Sequence, residues 1–126
     1  KHPENESLLY MSGNENLLRS AVNNLIKNAY KYSDNHQVNI TLDAQQNNII
    51  MYFENNGQTM EANANDHAFL PFFRGQNAIN KRGFGLGLSI VKRIVELHRG
   101  SIVYSVVNES INRFTISFRR FPIAQV

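Results

Sequence analysis

The sequence predicts a two-layer α/β sandwich, with helices packed on one face of a mixed, mostly antiparallel sheet. Three observations carry that prediction. Two segments place apolar residues at helical spacing. Two pairs of short strand-like runs are joined by tight polar turns. The 126-residue length suits one compact domain with a core of its own.

The elements follow in chain order as strand, helix, strand, strand, loop, helix, strand, strand. Residues 7–11 form a short apolar run and are expected to be a strand. Ser12-Gly13-Asn14 reads as a turn with an N-cap, and a helix is expected from there to about Tyr32. Its apolar positions are Leu17, Leu18, Ala21, Val22, Leu25, Ile26 and Ala29. Ser33-Asp34-Asn35 ends it. Gln37–Leu42 alternates through Val38, Ile40 and Leu42 and predicts a strand. Asp43–Asn48 is a polar turn. Ile49–Phe53 predicts an antiparallel partner strand, and its unbroken apolar run suggests cover on both faces.

Residues 54–85 lack periodicity and are rich in Gly and Asn. So long a connection in a small domain is more often functional than idle. Within it, Ala68–Phe73 is an aromatic knot able to anchor the loop. Helical spacing returns from Leu86 to His98, and Gly100 stands at the expected stop. Ser101–Val107 and Arg113–Arg119 predict a second hairpin around Asn108-Glu109-Ser110.

Composition narrows function. The chain has no Cys, which excludes a disulfide framework, a Cys-ligated zinc site and a thiol nucleophile. The net charge of +3 comes from scattered Lys and Arg, so nucleic-acid binding is not expected. No apolar run reaches the roughly 20 residues that a bilayer requires.

Three segments can carry chemistry. Asn24, Asn28 and Lys31 recur at i, i+4 and i+7, one line along the helix at the edge of its apolar stripe. An Asn oxygen can ligate a hard cation and Lys can meet a phosphate; equally, such residues are common at a core boundary. Gly83-Phe84-Gly85-Leu86-Gly87-Leu88 opens the second helix. Alternate glycines let backbone N–H groups approach an anion at a helix N-terminus, or serve as a hinge. No Gly-Lys-Ser/Thr follows, so it is not a Walker loop. Glu54-Asn55-Asn56-Gly57 is either an ordinary turn or a strand end that aims a polar side chain into a pocket.

Together the segments are far more specific. Asn24-Leu25-Ile26-Lys27-Asn28-Ala29-Tyr30-Lys31-Tyr32-Ser33 resembles the N box of sensor histidine kinases. Asn55-Asn56-Gly57-Gln58-Thr59-Met60 resembles their G1 box, Phe69-Leu70-Pro71-Phe72-Phe73-Arg74 the F box, and Gly83–Leu88 the G2 box. Order and spacing match over essentially the whole chain. The resemblance is to the ATP-binding catalytic domain of such kinases, with the Bergerat fold shared by type II topoisomerase, heat-shock chaperone and mismatch-repair ATPases.

The resemblance implies ATP and Mg²⁺ as ligands and a single domain over residues 1–126, its ATP lid at about 58–85. Asn28 would ligate Mg²⁺, with Asn24 in support. Lys31 would reach a phosphate and Tyr32 would pack near the nucleotide. Gly57 would let the backbone approach adenine, with Met60 beside it. Phe69, Phe72 and Phe73 would seat the lid, and Arg74 would extend to the phosphates. Gly83, Gly85 and Gly87 would close the lid, with Leu86, Gly87 and Leu88 turning into the helix. Asn28, Lys31 and Arg74 would form the catalytic set.

Two positions depart from the family pattern. Asn55 stands where Asp is usual, and a neutral acceptor is weaker by about 1 kcal/mol. That predicts roughly tenfold weaker ATP binding and, if the amide flips, looser base selectivity. Thr59 replaces a later Gly of the same box. Glu54 cannot substitute for the Asp, because strand alternation aims it at the opposite face.

Related ATPases place a Glu base where this chain has Asn24, which cannot accept a proton at neutral pH. Phosphoryl transfer to a partner is therefore expected over hydrolysis. The acceptor would be an imidazole on a separate dimerisation and phosphoacceptor domain of the same parent kinase, with a response regulator further along. None of His2, His36, His67 and His98 lies in such a helical hairpin; for His98 a capping or packing role is expected. The domain would be a monomer in the cytoplasm, its parent anchored in the inner or cell membrane. A nucleotide-free signalling module and a serine kinase of the anti-sigma type are the alternatives.

Overall fold

A computed structural model of the chain describes residues 13–59, residue 69 and residues 87–119. It contains α1 (Glu15–Lys31), β1 (Asn39–Ala44), β2 (Asn48–Asn56), α2 (Gly87–Leu97), β3 (Ser101–Val107) and β4 (Ile111–Arg119). The four strands form one sheet in the order β1-β2-β4-β3. Every pairing among the described residues is antiparallel. The expected strand over residues 7–11 lies outside the described residues.

α1 begins where its cap chemistry says it should. The Asn14 side-chain oxygen accepts the Leu17 N–H at 3.0 Å, Glu15 occupies the first turn and Lys31 the last. Ala21, Leu25 and Ala29 form its buried line. α2 buries Val91, Ile94 and Val95. Both helices pack on the sheet face that presents Phe53, Tyr104, Phe114, Ile116 and Phe118, and these residues make one core. An apolar cavity of about 220 Å³ remains between the first half of α1 and the Ile49–Phe118 end of the sheet.

The termini of the elements depart from expectation in informative ways. β1 starts two residues late, because the Ser33 hydroxyl collects the N–H groups of Asn35 and Gln37 into a local turn. β2 runs on to Asn56, so Asn55 lies within the strand rather than after it. Its apolar run is not covered on both faces. Ile49, Phe53 and Asn55 are buried, whereas Ile50, Tyr52 and Glu54 on the opposite parity are only half-buried. As alternation requires, Glu54 meets Arg113 across the strands at 2.7 Å on the open face.

α2 ends in a Schellman motif. The Arg99 N–H reaches the Glu96 carbonyl at 3.0 Å and the Gly100 N–H the Val95 carbonyl at 2.8 Å. The left-handed residue is therefore Arg99, at φ 58°, and not Gly100. Gly100 is needed for space, since a Cβ there would stand 2.5 Å from the Ser117 carbonyl oxygen. The β3–β4 turn likewise holds Asn108 and Glu109 at positive φ, 51° and 64°. Among the described residues no helix is long and apolar enough to cross a membrane.

Candidate functional site

The sequence-predicted residues on α1 lie where the spacing put them. Asn24, Asn28 and Lys31 are all half-buried, one step around the helix from the buried Ala21–Leu25–Ala29 line. Asn24 is already oriented. Its amide nitrogen donates to the Ser20 carbonyl at 2.8 Å, which turns its oxygen the other way. That oxygen would be 3.5 Å from a Cβ built on Gly87, the first residue of α2. The polar line of α1 thus meets the start of α2, whose first turn carries no acidic residue. The positive end of the helix dipole there favours an anion. Lys31 Nζ sits 5.5 Å from the centre of the Tyr32 ring, a cation–π contact at the end of α1. Leu88 packs against the core from the partly buried side.

The second half of the site is the end of β2. Asn55 is 3% exposed and shares its face with Phe53. Its amide nitrogen donates to the Tyr32 carbonyl at 3.3 Å and lies 3.5 Å from the Asn56 carbonyl. Two carbonyls on one side fix the nitrogen there, and the oxygen is left as the group's acceptor. The sequence allowed an amide flip; these contacts oppose it. Gly57 follows with no room for a side chain, because a Cβ would fall 2.2 Å from the Tyr32 carbonyl oxygen. The Gly57 N–H donates to the Ser110 carbonyl at 3.2 Å, and the Asp34 N–H to the Asn56 carbonyl at 2.8 Å. Thr59 is the last described residue of this segment. The structure therefore brings Tyr32, Asn55 and Gly57 together, joining the C-terminus of α1 to the end of β2.

Phe69 is buried, edge-on to Phe114 at 6.2 Å, with Lys92 Nζ 5.6 Å from its ring centre. One residue of the expected aromatic knot is thus a core residue. Met60, Phe72, Phe73, Arg74, Gly83, Gly85 and Leu86 lie outside the described residues, as does most of the expected lid. His98 has the structural role expected of it. One ring nitrogen accepts the Asn14 N–H at 2.9 Å and the other lies 2.8 Å from the Ile94 carbonyl. With Nε2 accepting, Nδ1 is the nitrogen placed to donate to the carbonyl.

Sequence reasoning missed a buried polar pair beside Asn55. Asn112 pairs with Asn55 across the strands and is 5% exposed. It accepts from the Tyr104 hydroxyl and donates to the Gln58 carbonyl at 3.2 Å. The signal was present: Asn112 has the same parity as Phe114, Ile116 and Phe118, so its side chain had to enter the core.

Comparison with known proteins identifies the family and the fold. Residues 13–124 match the family described as histidine kinase-, DNA gyrase B- and HSP90-like ATPases, and the chain belongs to that family. The heme sensor protein HssS of Staphylococcus aureus (strain JH9) is 38% identical over 113 residues, 89% of this chain and 24% of HssS. The chain spans about a quarter of the length of such relatives. The mycobacterial sensor histidine kinase MprB superposes with a TM-score of 0.81 at 25% identity, over 90% of this chain and 78% of that one. The catalytic domain of histidine kinase ThkA gives 0.78 at 23%, over 93% and 76%, a likeness of fold. The match is to the ATP-binding domain that sensor histidine kinases share with the other ATPases of this family.

Proposed function

We propose that the chain binds Mg-ATP between the polar line of α1, the end of β2 and the start of α2. From there it donates the γ-phosphoryl group to a histidine on a separate dimerisation and phosphoacceptor domain of its parent kinase. The observation that carries the reading is the approach of the Asn24 oxygen to the first residue of α2, 3.5 Å from a Cβ there. It brings the first carboxamide of the polar line to a helix N-terminus, a place suited to polyphosphate, with Asn28 and Lys31 further along the same line.

Adenine would meet the oxygen of Asn55 through its amino group, with Gly57 allowing the close approach and Met60 alongside. Tyr32 and Lys31 would flank the nucleotide. Phe73, Arg74, Gly83, Gly85, Leu86, Gly87 and Leu88 would complete the lid and the phosphate side. Among the described residues no three His, Cys, Asp or Glu side chains converge, so a protein cage for a metal is not on offer there. Mg²⁺ typically takes one or two protein oxygens and draws the rest from phosphate and water, and Asn28 backed by Asn24 fits that demand. When bound it would neutralise charge on the phosphates. Lys31 and Arg74 would hold the phosphates, and the start of α2 would orient them for in-line attack. Asn24 carries no basic site, so activation of water is not provided for. The parent would be a membrane-anchored kinase with this domain in the cytoplasm, the domain alone being a monomer.

Titration with ATP and GTP, with and without Mg²⁺, tests the reading, followed by transfer to a supplied phosphoacceptor domain. Mg-dependent ATP binding that is lost in Asn28→Ala, with an acid-labile phosphate on the acceptor, is the expected result. A folded domain that binds no ATP at millimolar concentration would instead make it a nucleotide-free signalling module, the reading that Asn55 and Thr59 favour. An acid-stable phosphate would point to serine.

A further inference from the structure

We infer that Tyr104 and Asn112 are positioning residues for the nucleotide base, acting through the backbone at Gln58. The inference rests on the nucleotide reading above. The two side chains are 4% and 5% exposed and adjoin a core that, Asn55 apart, is made of Ala, Leu, Phe, Ile and Val. Buried polar groups are costly unless they are bonded, and an apolar pair of similar size would pack there without that cost. Here every step of a chain is made: the Tyr104 hydroxyl donates to the Asn112 oxygen, and the Asn112 nitrogen donates to the Gln58 carbonyl at 3.2 Å.

The far end of that chain is what gives it a function. Gln58 follows Gly57, and Gly57 is held from the same strand end by its bond to the Ser110 carbonyl at 3.2 Å. The segment leaving β2 is therefore tied twice, by backbone to Ser110 just before β4 and by the Asn112 side chain in β4. Asn112 also stands directly across from Asn55, the acceptor for the base. Tyr104 reaches Asn112 diagonally from β3, where it pairs with Phe114 and its ring lies 5.2 Å from the Phe114 ring. Both Asn112 bonds are directional, so they set the distance between the Gln58 carbonyl and the sheet. Removing the Tyr104 hydroxyl would let the Asn112 amide rotate and release that carbonyl. The floor beside Asn55 and Gly57 would then lose its fixed spacing, while the phosphate end on α1 and α2 would not.

The test uses the 126-residue chain and three probes: ATP, GTP and inorganic tripolyphosphate, each with Mg²⁺. Tyr104→Phe and Asn112→Leu are each expected to weaken ATP binding roughly fivefold, the equivalent of one net hydrogen bond. The ATP-to-GTP ratio should fall and tripolyphosphate binding should stay unchanged. Because the two residues act in series, Tyr104→Phe should add nothing in the Asn112→Leu background. Should Asn112→Leu fail to fold, Asn112→Thr replaces it, since the shorter side chain cannot span both partners. Lower thermal stability with an unchanged ATP-to-GTP ratio would make the pair a packing feature and overturn the inference alone. Failure of the folded wild type to bind ATP would overturn the nucleotide reading, and this inference with it.

Discussion

Replacing Asn55 by Asp restores the residue usual in the family, yet the structure argues that this chain will tolerate it poorly. The Asn55 amide nitrogen donates to the Tyr32 carbonyl at 3.3 Å from a position 3% exposed. A carboxylate has no donor to offer. It would set a negative oxygen against that carbonyl and against the Asn56 carbonyl 3.5 Å away. Losing the bond costs about 1 kcal/mol, and burying the charge among acceptors adds roughly 1–3 kcal/mol. A total of about 2–4 kcal/mol should lower Tm by about 8–15 °C for a domain of this size. The pH dependence has a definite sign. Burial and the two carbonyls raise the introduced carboxyl's folded-state pKa above its unfolded value of about 4. The folded variant then binds the extra proton between those two values, so its deficit is small below about pH 4 and grows toward neutrality. Against this, a charged acceptor strengthens the adenine contact by about 1 kcal/mol. Mg-ATP should therefore recover more Tm in Asn55→Asp than in wild type. Scanning calorimetry of both proteins at acid and neutral pH, with and without Mg-ATP, measures all of this. Equal Tm values at neutral pH without nucleotide would refute the anchoring of the amide by Tyr32.

Three other substitutions examine separate parts of the frame. Gly57→Ala places a methyl 2.2 Å from the Tyr32 carbonyl oxygen, a backbone atom, and should cost about 1–3 kcal/mol in urea unfolding. An unchanged midpoint would mean that the end of β2 can move away from α1. Arg99→Gly relieves a left-handed residue at φ 58° and should stabilise the domain by about 1 kcal/mol, raising the melting temperature by a few degrees. His98→Ala removes the ring that accepts the Asn14 N–H and bonds the Ile94 carbonyl, and should cost about 1–2 kcal/mol. Hydrogen exchange at Asn14 should accelerate in that variant, and protection equal to wild type would dissociate His98 from the start of α1.

Helix and strand existence was legible because periodicity reports burial directly. Ala21, Leu25 and Ala29 are buried at helical spacing, and Phe114, Ile116 and Phe118 at strand spacing. Element ends were less legible, since they depend on single hydrogen bonds. The Ser33 hydroxyl delays β1 and pairing with β4 carries β2 to Asn56, and neither leaves a periodic trace. Gly100 marks the helix stop as expected, but why it must be glycine is not legible for a related reason. A glycine after a helix signals either a left-handed turn or a lack of space, and only the neighbouring Ser117 carbonyl tells which. For the site, spacing placed Asn24, Asn28 and Lys31 on one half-buried line. What it could not reach was the orientation of amides, because orientation is set by carbonyls distant in sequence. Tyr32 lies 23 residues from the Asn55 that it fixes.

Neutral amides dominate this site, and that has a chemical consequence. Asn24, Asn28, Asn55 and Asn112 stand along the surfaces where α1, α2 and the end of the sheet converge. An amide gives geometry without a proton to exchange: it can accept and donate, but it cannot act as a base near pH 7. Asn24 shows the point most sharply. Its nitrogen is committed to the Ser20 carbonyl at 2.8 Å, so even its donor face is turned away from α2. A carboxylate in that place would be free to draw a proton from water, and the bound nucleotide would be open to hydrolysis. With an amide there, chemistry has to wait for a nucleophile that brings its own lone pair, as a neutral imidazole does. In the nucleotide reading proposed above, an amide at Asn24 would leave a bound triphosphate intact until an acceptor arrives.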